Sequence, residues 1–171
     1  MRKNNTVRRR RFLVSAAAAA TAASTSCTGG NSPWRVLSVE EAQTAAAVCE
    51  QLIPTDEFPG AAWAGAVDFI DRQLSGHLSK HRGAYRKGLA GIERASRERF
   101  GKPFAELPGE RQTELLRAIE KTPFFALVLS HTMQSYYGDP RHGGNRDQVG
   151  YRSLGIPAAP VRGRFKTESA S

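Results

Sequence analysis

Apolar residues begin to recur at helical spacing from position 39. Val39, Ala42, Ala46, Cys49 and Ile53 follow one another at steps of three and four, which places them on one face of a helix. Ser38, with Glu41 three residues later, has the spacing of a capping box that would start this helix, and Pro54 would stop it. Residues 54–60 contain Pro54, Pro59 and Gly60 and are expected to form a loop. A second stripe, Val67, Ile70 and Leu74 with Phe69 beside it, predicts a helix that carries Asp68, Asp71 and Arg72 on its other side and ends near Gly76. Tyr85, Leu89, Ile92 and Phe100 predict a third, closed by Gly101 and Pro103. The fourth starts at Leu107-Pro108-Gly109-Glu110, with Pro108 near the first turn, and carries Leu115, Leu116 and Ile119. From Phe124 to Met133, and on to Tyr136 and Tyr137, the chain is apolar on all sides, so the fifth helix is expected to be the most buried.

No stretch alternates with period two and no repeat is present. The fold class is therefore all-α: one small domain of about five helices, followed by a Gly/Asp/Arg-rich loop segment beyond Gly138. The expected organisation is a signal region at 1–27 that stays disordered outside the fold, a linker at 28–37, the helical domain at 38–157 and a basic tail at 158–171.

The charge changes this picture only at the N-terminus. The formal net charge is +9, but Arg2, Lys3, Arg8, Arg9, Arg10 and Arg11 lie in residues 1–27, where there is no acid. The other 19 basic residues face 16 acidic ones with the signs interspersed, and Arg94, Arg97 and Arg99 alternate with Glu93 and Glu98 as on a solvated helix face. No basic footprint for nucleic acid is left. The N-terminal block has instead the layout of an export signal: a charged start, an apolar run from Phe12 to Ala20 weighted to alanine, and a small-residue end at Ala22, Ala23 and Ser24. Within it Arg9, Arg10, Phe12 and Leu13 fit the twin-arginine pattern, which is read by a translocase that carries folded proteins. The run is too short and too weakly apolar to span a bilayer core of about 30 Å. Cys27, after Ser24-Thr25-Ser26 and before a Gly/Asn/Ser stretch, is a candidate lipidation site; cleavage near Ala22 or Ala23, or no cleavage, is the alternative. Cys49, on an apolar stripe, has the place of a small buried hydrophobe rather than of a disulfide partner.

Groups capable of chemistry crowd together only between Gly138 and Asp147. No Ser or Cys accompanies His142 in a strand-turn-helix context, as a hydrolase would need. His131, Asp139, His142 and Asp147 lack the paired spacing of metal ligands, and the glycines do not form a dinucleotide fingerprint. His77, His81 and His131 are isolated and fit surface or satisfied core positions. On residue types alone the segment is a loop whose glycines permit positive φ and whose Asp and Asn cap turns.

The run HTMQSYYGDPRHGGNRDQVGY at 131–151 strongly resembles the signature of the gluconate 2-dehydrogenase subunit 3 family; LIPTDEFPGA at 52–61, VDFID at 67–71 and FGKPF at 100–104 resemble it too. That resemblance implies a non-catalytic small subunit with no cofactor of its own. Its implied partners are a glucose-methanol-choline type flavoprotein holding FAD and a multihaem cytochrome c subunit holding haem c. It implies membrane association through that complex, at the periplasmic face of the inner membrane. The small subunit would supply the twin-arginine signal and escort the flavoprotein through the translocase. Tyr136, Tyr137, Asp139, Arg141, Asn145, Arg146, Asp147 and Tyr151 then become candidates for partner docking, since Tyr and Arg are enriched in interface hot spots. Internal packing of the same segment is the competing expectation. A free-standing periplasmic enzyme or lipoprotein is the rival function, and an adjacent flavoprotein reading frame would separate the two.

Overall fold

The computed structural model describes residues 32–157, and the twin-arginine run, Cys27 and the basic tail lie outside the described residues. Within them the domain is all-helical: α1 (Val39–Leu52), α2 (Ala66–Ser75), α3 (Arg82–Phe100), α4 (Gly109–Ile119), α5 (Pro123–Tyr137) and α6 (Val149–Ser153). Short 3₁₀ turns at Ser79–His81, Phe104–Glu106, Pro140–His142 and Arg146–Gln148 fill the connections. No strand is present among the described residues. The expectation of about five helices thus misses α6 and the two turns before it, which occupy the segment expected to be loop.

Local chemistry explains the element ends. Glu41 N–H donates to Ser38 Oγ at 3.1 Å and Ser38 N–H donates to the Glu41 carboxylate at 2.9 Å, so both orphan donors at the start of α1 are satisfied. Thr122 caps α5 by accepting from Phe125 N–H at 3.2 Å, with Pro123 in the first turn. Gly101, at φ 68°, closes α3 in the left-handed region.

Helix α1 lies at the centre and touches α2, α3, α4 and α5. Val48, Ile70, Leu74, Tyr85, Leu89, Phe104 and Val128 meet around it in the core. The buried side chains of α1 are Ala42, Thr44, Ala45, Val48 and Cys49, whereas Val39 is 48% exposed. The true face is therefore rotated from the expected stripe, because helices cover both flanks of α1.

Two further expectations are corrected. Asp71 is buried rather than on a solvent face; its carboxylate accepts from the N–H groups of Arg35, Val36 and Leu37 at 2.7, 2.8 and 3.0 Å. A buried carboxylate is tolerated when it takes such donors, and these three bonds bind the end of the expected linker to the domain, with Leu37 buried and Trp34 packed on the core. Nor is α5 the most buried helix: it buries five of its fifteen residues and leaves Met133 48% exposed, whereas α2 buries six of ten. Apolar content did not decide this. Helix α2 is enclosed by α1 and α5, and α5 keeps one side open to solvent.

Candidate functional site

After α5 the chain turns back and is clipped onto it. Gly138 leaves the helix so closely that a Cβ there would sit 2.2 Å from the Gln134 carbonyl oxygen. Asp139 accepts from Arg141 N–H at 3.0 Å to start the next 3₁₀ turn. Asn145, fully buried and at φ 49°, then closes the segment: its amide donates to the Gly138 carbonyl at 2.7 Å, and its Oδ1 accepts from Gly150 N–H at 2.8 Å. Glycine is required twice more by close approach. A Cβ at Gly144 would lie 2.2 Å from Ser135 Oγ, and one at Gly150 would lie 2.0 Å from the Tyr136 carbonyl oxygen.

The segment is also tied to the loop before α2. Arg146 N–H donates to the Ala64 carbonyl at 3.1 Å, and Arg72 Nη1 donates to the Arg141 carbonyl at 3.2 Å. Tyr136 is buried and donates from its hydroxyl to the Pro59 carbonyl at 2.8 Å. Asn145, Asp147 and Gln148 all hold φ near +50°. For residues other than glycine this costs about 1–2 kcal/mol each, with Asn and Asp the most tolerant, and such strain concentrates at functional sites.

The expected docking residues therefore divide. Tyr136 and Asn145 are buried and shape the segment from beneath, so neither presents a surface. Arg141, Arg146 and Asp147 are exposed, while Tyr137, Asp139 and Tyr151 are partly so. Arg146 lies 3.7 Å from the Asp68 carboxylate and 5.6 Å from the centre of the Trp63 ring. Trp63, 40% exposed, completes this corner, and the reading of the sequence did not single it out. A lone Trp inside an alanine-rich loop was the available signal. On the other side Arg141 donates to Asp139 Oδ2 from Nε at 2.9 Å and Nη2 at 2.7 Å. These bonds hold the Asp139 carboxyl at about 2 and raise Arg141, so the pair stays charged at any physiological pH. Both ion pairs are solvent-exposed, where such pairs contribute little stability. What they provide is a fixed arrangement of Trp, Arg and carboxylate on a braced backbone.

The residues weighed for metal binding are not brought together: His131 is buried in the core, whereas His142 and Asp147 are exposed on the clipped segment. Among the described residues no three His, Cys, Asp or Glu side chains are placed to hold a metal ion. His131 instead accepts a hydrogen bond from, or donates one to, the Tyr85 hydroxyl at 3.0 Å and stacks on its ring. Burial, with His81 nearby, pushes the His131 pKa down, and burial pushes Tyr85 up. Cys49 contacts Thr132 Oγ1 at 3.3 Å, and its thiol is pushed up to about 11 by burial. A thiol so far from ionising is a core group, not a nucleophile.

The model of the family described as Gluconate 2-dehydrogenase subunit 3 matches residues 39–157, from the start of α1 through the whole clipped segment. No curated protein and no solved structure matches the chain.

Proposed function

Because the chain belongs to the gluconate 2-dehydrogenase subunit 3 family, we propose that it is the non-catalytic small subunit of a membrane-associated flavoprotein dehydrogenase, carrying the export signal and stabilising the FAD-containing large subunit. Gluconate 2-dehydrogenase subunit 3 is by its description one part of a larger assembly, and the match takes in 119 of the 171 residues. The observation that carries the docking part is the construction of residues 138–150. Asn145, Gly144 and Gly150 hold a strained backbone in one place, and the side chains it presents outward include Arg141, Asp147 and Arg146, the last over Trp63. Rigid aromatic and arginine anchors at low ordering cost are the chemistry of a protein interface.

In this reading the buried polar groups of the core serve stability, and the reacting carbon of the sugar, polyol or sugar acid is handled by the flavoprotein. Arg9, Arg10, Phe12 and Leu13 address the chain, and the flavoprotein bound to it, to the twin-arginine translocase. The complex then lies at the periplasmic face of the inner membrane, where a multihaem cytochrome c subunit takes the electrons. No helix among the described residues is long and apolar enough to cross a membrane. In this reading the chain meets the bilayer through the other subunits or through lipid on Cys27.

Affinity isolation of the tagged full chain from the periplasm tests the proposal. A copurifying flavoprotein in stoichiometric amount, seen by its flavin absorbance, is the expected result. A chain that purifies alone, with sugar-oxidising activity of its own, would overturn it.

A further inference from the structure

An open groove of about 910 Å³ lies between α3 and the junction of α4 and α5, and no residue of the clipped segment lines it. On one wall Ile119, Phe124 and Leu127 pack against the core yet stay only half-buried, so part of each is left to the groove. On the other, α3 offers Ala84, Gly88 and Gly91, whose steps of four and three set them on one face. Lys87 and Arg94 stand along the groove with His81, and no carboxylate lines it. Both Lys87 and Arg94 are exposed, and the ion pairs of the described residues are made by other side chains.

The two glycines differ in what the fold asks of them. A Cβ at Gly88 would lie 2.4 Å from the Phe124 ring, so glycine there lets Phe124 close on α3. A Cβ at Gly91 would meet nothing within 4 Å beyond its own turn of helix. Glycine inside a helix is unfavourable relative to alanine, and the packing of this domain does not require it at 91. A body that comes from outside and touches the α3 backbone would require it.

We propose that the groove receives an acidic amphipathic helix of a partner protein, with its apolar face on Ile119, Phe124 and Leu127, its backbone over Gly91 and its carboxylates beside Lys87 and Arg94. Charge complementarity sets the sign: two unpaired cations and no acid favour an anionic occupant. Spacing sets the class. Lys87 and Arg94 are two turns apart on α3, about 10 Å along its axis. One lipid phosphate cannot meet both, whereas two acids seven residues apart on a second helix can. The form follows from the walls, which are helices with their backbone groups already paired. An extended segment would find no strand edge to join and would bury its own N–H and C=O groups unpaired, while a helix arrives with its own bonds made. Small residues on α3 let the axis of a second helix come close.

The purified full chain is titrated by fluorescence anisotropy against a labelled helical peptide of about 15 residues. The peptide has leucines at steps of three and four and glutamates seven residues apart on its flanks; a twin carries lysines in place of the glutamates. At low ionic strength the acidic peptide is expected to bind about tenfold more tightly than its twin, and Lys87→Glu/Arg94→Glu should abolish that preference. Gly91→Leu leaves every charge in place, Arg8–Arg11 included, and fills the groove. It should weaken the acidic peptide about tenfold while the thermal melt holds or rises, because a better helix former then stands in open space. No binding of the acidic peptide would overturn the proposal. Equal affinity for wild type and Gly91→Leu would do so too, since charge elsewhere would then hold the peptide. Binding of phosphatidylglycerol vesicles that Gly91→Leu abolishes would make the occupant a lipid, and self-association that Gly91→Leu abolishes would make it a second copy; either result replaces the partner helix.

Discussion

At the scale of single residues, Asn145 and His131 are the polar groups on which most depends. Asn145 joins the start and end of the clipped segment through one buried amide and accepts a left-handed backbone that most residues resist. Replacing it by Ala removes two buried hydrogen bonds and leaves the Gly138 carbonyl and the Gly150 N–H without their partner; each such loss costs about 1–3 kcal/mol. Asn145→Ala should therefore lower the melting temperature by several degrees, whereas Arg141→Ala should leave it nearly unchanged. A melt of Asn145→Ala equal to wild type would show that the clip bears no load. His131 has a second kind of consequence. Its folded-state pKa is depressed, so below the ordinary histidine value of about 6.5 the unfolded chain binds more protons than the folded one. Stability conferred by neutral His131 is present at pH 7 and lost as pH falls through that value toward the lower folded pKa. Melting curves between pH 7 and pH 5 should show this decline, and His131→Gln, which keeps an acceptor for the Tyr85 hydroxyl, should flatten it.

At the scale of elements, contacts between backbones matter more than side-chain size. Helix α6 rests on α5 where Gly150 meets the Tyr136 carbonyl, with no room for a methyl group at 2.0 Å. Gly150→Ala must push α6 away, at the cost of about 1–3 kcal/mol typical of overpacking. The substitution would raise helix propensity on an isolated peptide, so a lowered melting temperature identifies the close approach as the cause. Hydrogen exchange should quicken in 138–153 and not in α1 or α3. Uniform exchange across the domain would contradict an independently braced segment.

At the scale of the whole molecule, the domain divides its tasks between a core that contributes stability and a surface that does not need to. Trp63 and Arg146 touch each other at the exposed corner of the clipped segment. If that corner anchors the flavoprotein, Trp63→Ala and Arg146→Ala should each weaken the complex by about 1–3 kcal/mol, roughly a five- to 150-fold effect, with the melt of the isolated domain shifted little. Titration of the flavoprotein against each variant measures this; unchanged affinity would place docking elsewhere. The proposed export is likewise tested on the entire chain. Changing Arg8–Arg11 to lysine keeps the charge but removes the arginine pair, so the protein and its passenger should stay in the cytoplasm. Periplasmic delivery of the lysine variant would exclude a twin-arginine route.

Much of this molecule follows from neighbours in the sequence. The Ser38/Glu41 cap, the prolines and glycines that end helices, and the three-to-four periodicity are short-range features, and they were enough for an all-α domain with most of its helices in place. The segment from Gly138 to Tyr151 was likewise legible as the one place of unusual composition. What local pattern could not decide was which side of a helix the rest of the protein would cover. That is why Val39 is exposed while Ala45 is buried, and why the apolar α5 keeps an open face. Nor could it reveal that Asp71 has three N–H donors waiting 34 to 36 residues away, or that Trp63 and Arg146 meet while Asn145 between their loops is sealed inside. Burial of a polar group depends on partners supplied by distant segments, and only the packed tertiary structure brings those partners into reach.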